Sequence, residues 1–120
     1  MTIALCFVAL AGSGATLRWL AAAGWPGGHR GTLAVNVVGA FALGLLGGWT
    51  GPALTVVGTG GLGSLTTFST FAADTTNLAD GPGSFAAVRH MAATLVLGVA
   101  AAWLGLASAV CVGPTIRRLI

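Results

Sequence analysis

The sequence predicts an all-α integral membrane protein with four transmembrane helices, the third broken near its middle, paired as an antiparallel dual-topology dimer. Three observations carry this prediction. Charged residues make up 6% of the 120-residue chain, against about 25% in soluble domains, and mean hydropathy is +0.95, so no hydrated shell can clothe a water-soluble globule. Four apolar stretches reach the roughly 20 residues that a helix needs to cross a bilayer. The five arginines divide almost evenly between the two sides that those stretches define, so the loop-charge bias that orients membrane proteins is nearly absent.

The first span covers about 2–23. No basic residue precedes its apolar run and Arg18 stands where a leader would be cleaved, so it reads as a retained helix. The second covers about 32–50, the third about 52–73 with no charge in it, and the fourth about 85–112. The intervening "GWPGGHRG", "TGP" and "DTTNLADGPGS" are rich in Gly, Pro and Asp and read as turns; Pro52 suits the first turn of a helix. Residues 1–120 therefore form one transmembrane domain. Both termini, with Arg117 and Arg118, fall on one side; Arg18, Arg30 and Arg89 fall on the other. Either the chain inserts both ways up and pairs with an inverted partner, or a feature other than charge fixes one orientation. Trp19, Trp25, Trp49 and Trp103 are expected as interfacial anchors. His29 is expected as a solvated loop residue and His90 as an interfacial or vestibule residue.

Small residues recur at helical spacing. Asn36, Gly39, Ala40, Gly44 and Gly47 share one face of the second helix; His90, Thr94, Gly98, Ala101 and Gly105 share one face of the fourth. Such faces let helices approach closely in lipid. Packing alone does not explain Asn36, because an amide in hydrocarbon is costly unless it meets a partner or a polar path. Glycines at 58, 60, 61 and 63 each weaken a helix by about 1 kcal/mol relative to Ala, which predicts a break or unwinding near 60–66. A broken helix is tolerated in a membrane only where its backbone is buried in protein or lines a cavity. Beyond the break, Phe68 and Phe71 lie about 60° apart around the axis, with Thr66, Ser69 and Thr70 opposite. Two readings follow. The rings fill gaps while the hydroxyls bond to carbonyls one turn back, or the ring edges, hydroxyls and amide form a chain of weak sites for a small anion.

Other classes fit poorly. Arginines scattered over apolar segments form no phosphate-tracking stripe, so no nucleic-acid partner is expected. Cys6 and Cys111 have no metal-site or redox spacing. No nucleophile, base and orienting acid come together, so no enzyme activity is expected. A proton-coupled four-helix exporter needs a carboxylate in the membrane, whereas Glu is absent and Asp74 and Asp80 lie at or beyond the end of the third span. A subunit that completes a partner's pore stays open as an alternative.

Three stretches carry a family resemblance: "GSGATLRW" (Gly12–Trp19), "GTLAVNVVGAFALG" (Gly31–Gly44) and "GGLGSLTTFSTF" (Gly60–Phe71). Together they resemble the signature segments of the Fluc/CrcB fluoride channels, and length, span number and balanced charge agree over nearly the whole chain. The resemblance implies a dual-topology dimer, a homodimer or a heterodimer with a paralogous subunit, in the bacterial plasma (inner) membrane. It implies passive, fluoride-selective export that lowers fluoride toxicity. It places Asn36, Phe68 and Phe71 along the pore, together with Thr67, Ser69 and Thr94, and Arg18 at the mouth or in a structural role. It also implies a structural sodium ion (Na+) at the dimer centre, held by the backbone carbonyls of Gly63 and Thr66. The chain departs from the family pattern at Ser64, where glycine is frequent, and at Asp74, where glutamate is common. In the fourth helix His90, Thr94 and Gly98 stand where the family carries a tyrosine and serines.

Overall fold

The computed structural model describes residues 1–25 and 28–117, and the described residues are helical with short connections. Helix α1 runs Thr2–Gly24 and α2 runs His29–Leu45. A segmented stretch follows: α3 (Gly51–Leu54), a π-helical segment (Thr55–Leu62), α4 (Gly63–Leu65) and α5 (Phe68–Asp80). Helix α6 runs Ser84–Arg117. Two segments, Thr2–Gly24 and Ser84–Cys111, are long and apolar enough to cross a membrane, and the chain is membrane-associated.

The boundaries differ from the sequence reading in three places. Helix α2 starts at His29 and ends at Leu45, short of the expected 32–50. Bonds from Leu46 N to Leu43 O and from Gly47 N to Gly44 O tighten its end into a turn, at a place where glycines at 44, 47, 48 and 51 favour leaving the helix. Gly51, at φ +69°, makes the turn into α3, a conformation that L side chains avoid. The polar run expected as a loop after residue 73 is instead the second half of α5. Thr75 and Thr76 donate their hydroxyls to the Phe71 and Ala72 carbonyls one turn back, which satisfies them without leaving the helix. Helix α5 ends only at Gly81, ahead of Pro82 and of Gly83 at φ +111°. Arg118 lies outside the described residues.

The helices meet through their small residues. A Cβ on Gly44 would run into the Ala102 carbonyl, and one on Gly105 into the Phe41 carbonyl, so α2 and α6 lie almost backbone to backbone at this end of the two faces picked out above, whereas Gly39 meets Thr66 and Gly98 faces open space. Gly14 of α1 sits against the Gly61 carbonyl and Leu65 N, and Gly60 packs on the Phe7 ring. Gly31 abuts the Ala21 carbonyl and ties α2 to α1. Large apolar side chains point away from these seams: Ile3, Leu5, Val8, Leu17, Leu95, Val96, Val99 and Trp103 are all exposed. Among the described residues the buried polar ones are Thr32, Thr67 and His90. An apolar exterior over a small and partly polar interior is the arrangement that lipid selects.

Candidate functional site

The site is built around the interruption between α4 and α5. Thr66 (φ −79°, ψ 154°) and Thr67 (φ −151°, ψ 123°) are extended; Thr66 N still bonds to Leu62 O at 3.0 Å, and the ladder of helical hydrogen bonds lapses at Thr67. Upstream, the π-helical segment spaces its bonds five residues apart, and the glycine-rich sequence there allows the close approach of α1. Ser64 Oγ donates to Gly60 O at 2.6 Å, and Thr66 Oγ1 donates to Leu62 O at 3.1 Å beside the Thr66 N–H bond to the same carbonyl.

Asn36 closes the gap from α2. Its Oδ1 accepts from Thr67 N at 2.8 Å and its Nδ2 donates to Thr67 O at 3.1 Å. This reciprocal pair fixes which way the amide points. It satisfies both backbone groups of the residue that has left the helix, and it takes one of the two amide N–H donors, so a second remains. The sequence left Asn36 either a partner or a polar path; the structure supplies the partner, Thr67.

Thr67 is also the N-cap of α5. Its Oγ1 accepts from Thr70 N at 3.2 Å, the usual capping geometry. The same hydroxyl donates to Thr70 Oγ1 at 3.1 Å and lies 3.2 Å from Ser69 Oγ. Three hydroxyls thus cluster at the start of α5, and Thr67 is buried while Ser69 is exposed.

Beside this cluster is a groove of about 460 Å³. Its walls include Asn36, Gly63, Thr66, Thr67, Phe68, Phe71 and Thr94, with Leu and Val side chains around them. The Phe68 and Phe71 rings are 5.7 Å apart between centroids and tilted by 46°. Phe68 is 80% exposed. Thr94 turns its proton to the His90 carbonyl at 2.9 Å, which leaves the hydroxyl oxygen as its outward-facing group. Seven of the nine residues singled out from sequence therefore share one groove. Ser69 reaches it only through the Thr67 hydroxyl. Arg18, half-buried on α1, lines neither this groove nor the cavity described next.

The expectation of a structural sodium ion is corrected. Among the described residues no group of three or more His, Cys, Asp or Glu side chains could hold a metal ion, so the residues around Gly63 and Thr66 offer no anionic ligand set.

Sequence reasoning missed a second cavity of about 220 Å³, lined by His29, Arg30, Arg89 and His90 together with Leu33 and Leu78. His29 is the first residue of α2 rather than a loop residue, and its ring meets His90 edge-on at 5.6 Å. His90 is buried at 6% exposure. The signal was present as two basic dipeptides, His29-Arg30 and Arg89-His90, but about sixty residues separate them and only the packing of α2 on α6 brings them together.

Comparison with known proteins bears on this geometry. A family model described as "CrcB-like protein, Camphor Resistance (CrcB)" matches residues 5–106. The "Fluoride-specific ion channel FluC" of Renibacterium salmoninarum is 43% identical over 84 residues, 65% of this chain and 67% of the relative. "Fluoride-specific ion channel FluC 1" of Symbiobacterium thermophilum is 43% identical over 108 residues, 79% and 87% of the two chains. The FluC of Vibrio parahaemolyticus is 39% identical over 117 residues, 84% and 90% of the two chains.

Proposed function

The chain belongs to the CrcB-like family, and from that premise we propose that it is a fluoride-selective ion channel, passive rather than catalytic, that lets fluoride leave the cell across the plasma membrane. Relatives that carry the name of fluoride-specific channel match most of its length. In this reading residues 1–120 are a single multi-pass domain of four spans, the third of them interrupted between α4 and α5. Two such chains, identical or paralogous, pair antiparallel.

One observation carries the assignment of the path. The Asn36–Thr67 pair holds the interruption open so that an amide, threonine hydroxyls and the Phe68–Phe71 ring pair face one groove. Fluoride is small and strongly hydrated, so a selective path must offer close donors in place of water. Asn36 supplies its second N–H. Ring edges are weakly electropositive. Neither carries a full charge that would trap the ion, and a series of weak sites favours both entry and release. Thr67 and Thr94 add hydroxyls to the lining, with Ser69 linked to it through Thr67; their protons rest on Thr70 and on the His90 carbonyl and turn to the ion as it passes. Arg18, within the last two turns of α1, shapes the mouth or anchors that helix.

The test is flux. The full chain is reconstituted in liposomes loaded with potassium fluoride, valinomycin is added, and fluoride and chloride electrodes follow release. Fast fluoride release without chloride release is expected, and Phe68→Ile should slow it. Equal release of both ions would overturn selectivity, and Phe68→Ile flux identical to the parent would remove the ring pair from the path.

A further inference from the structure

The second cavity has a composition that the channel reading does not use. Two guanidinium groups, Arg30 and Arg89, and two imidazoles, His29 and His90, converge on about 220 Å³ at the end of the bundle where α2 and α6 begin. Arg30 and Arg89 are exposed at the rim and His90 is buried beneath them, and cationic side chains gathered around a concave pocket raise the local concentration of anions. The pocket also holds a polar group that lacks a partner. His90 is 6% exposed, and its Nε2 is fully buried with no hydrogen bond. Buried polar atoms are nearly always bonded, so an orphan calls for a ligand or water. As Nε2–H the group is a donor, which suits an anion. The nearby group of opposite sign is Asp74, which acts on His90 electrostatically but does not line the cavity.

The cavity also has a neighbour. The His90 ring lies 5.5 Å from the Phe71 ring. His90 belongs to the cationic cavity and Phe71 to the groove that contains Asn36. The pair is thus the partition between the two spaces, with donors on one side and the ring pair on the other.

We propose that the His29–Arg30–Arg89–His90 cavity is an antechamber that collects small inorganic anions and delivers them past the His90–Phe71 partition into the groove. The arginines supply attraction, and His90 supplies the last donor before the ring edges. This rests on the channel reading, since it makes the cavity the entrance to that path. Arginine also suits lipid phosphate, and the experiment separates that source from a free anion.

Two measurements on the full chain test it. In the first, fluoride flux from liposomes is compared between the parent and the Arg30→Gln, Arg89→Gln double variant over a range of fluoride concentration and ionic strength. The double variant should be about tenfold slower at low fluoride and low salt. The deficit should shrink as fluoride approaches saturation and as salt screens the field. Arg89→Lys alone should retain most of the flux. A deficit equal at all concentrations, or none at all, overturns the proposal. In the second, fluoride is titrated onto detergent-purified protein and its fluorine NMR linewidth is followed. Saturable broadening should occur in the parent, and it should weaken about tenfold in the double variant and in His90→Leu. Unchanged broadening in both variants overturns the antechamber even if the parent conducts. If the parent does not conduct but shows broadening that these variants lose, the anion site stands and the channel reading fails. Repeating the flux series in vesicles with and without anionic lipid gives the last outcome. If anionic lipid erases the difference between parent and variant, the occupant is a lipid phosphate, and the proposal of a free anion is overturned.

Discussion

In the proposed path Asn36 does two jobs with one amide, and substitutions separate them. Aspartate keeps an oxygen for Thr67 N but has no N–H for Thr67 O, and it brings a negative charge to the groove. At about 4 Å and an effective dielectric near 20, like charges repel by about 4 kcal/mol, so Asn36→Asp should lower fluoride flux at least about 100-fold in the liposome assay while the protein remains folded. Thr67 carries the complementary load. Its hydroxyl caps α5 and anchors the Ser69–Thr70 cluster. Thr67→Ala should cost about 1 kcal/mol, read as a lower midpoint in denaturant unfolding of the detergent-solubilised protein, with Thr67→Ser nearly neutral. Much of this was legible in the sequence: an amide in an apolar helix demands a partner, and glycines at 58, 60, 61 and 63 foretell a loss of regular winding. The identity of the partner was not legible, because 31 residues lie between Asn36 and Thr67 and no local rule links them. The capping role of Thr67 was equally hidden, since it depends on α5 beginning at Phe68 rather than running on from α4.

At the scale of elements, the seam between α2 and α6 decides stability. Gly44 and Gly105 face backbone that cannot move aside. Overpacking costs about 1–3 kcal/mol even where side chains can adjust, so Gly105→Val should reduce the yield of monodisperse protein on size exclusion and lower its unfolding midpoint. Gly12 has open space where a Cβ would go, and Gly12→Ala should raise that midpoint by up to about 1 kcal/mol. The spacing of small residues in the sequence anticipated the seam correctly, because helical periodicity is a local property. The same periodicity failed after residue 73, where Asp, Thr and Asn suggested a loop. Helix α5 persists there because Thr75 and Thr76 back-bond to carbonyls and because the first effective stop is Gly81-Pro82-Gly83. The cavity of His29, Arg30, Arg89 and His90 was invisible for a related reason: each dipeptide looks like an ordinary helix start until two elements are docked.

The whole molecule is a slab with principal extents of 53 × 33 × 20 Å. Its short dimension is about two helix diameters, too thin to surround a water-filled or ion-filled path on all sides. Phe68 remains 80% exposed beside the groove. A second chain seated against that side would close the groove, which supports the paired form proposed above. In the proposed four-span topology the arginines are nearly balanced and would favour neither orientation, and the rule that loop charge sets orientation makes this testable. Lysines appended at the C-terminus should drive the population toward one orientation, read by labelling of the termini from one side of sealed vesicles. If the antiparallel pair conducts, fluoride flux should fall with it, and should return when an oppositely biased copy is co-expressed. Unchanged flux in a fully one-way population would rule out the antiparallel pair.

The Asn36–Thr67 contact also has a direction in time. Chains are synthesised from the N-terminus, so α1 and α2 leave the ribosome before the segment that contains the interruption. Asn36 precedes Thr67 by 31 residues, and it is therefore already made when Thr67, whose backbone groups no helix pairs, first seeks a partner in a bilayer that offers none. The order of the gene thus supplies the clasp before the gap that needs it.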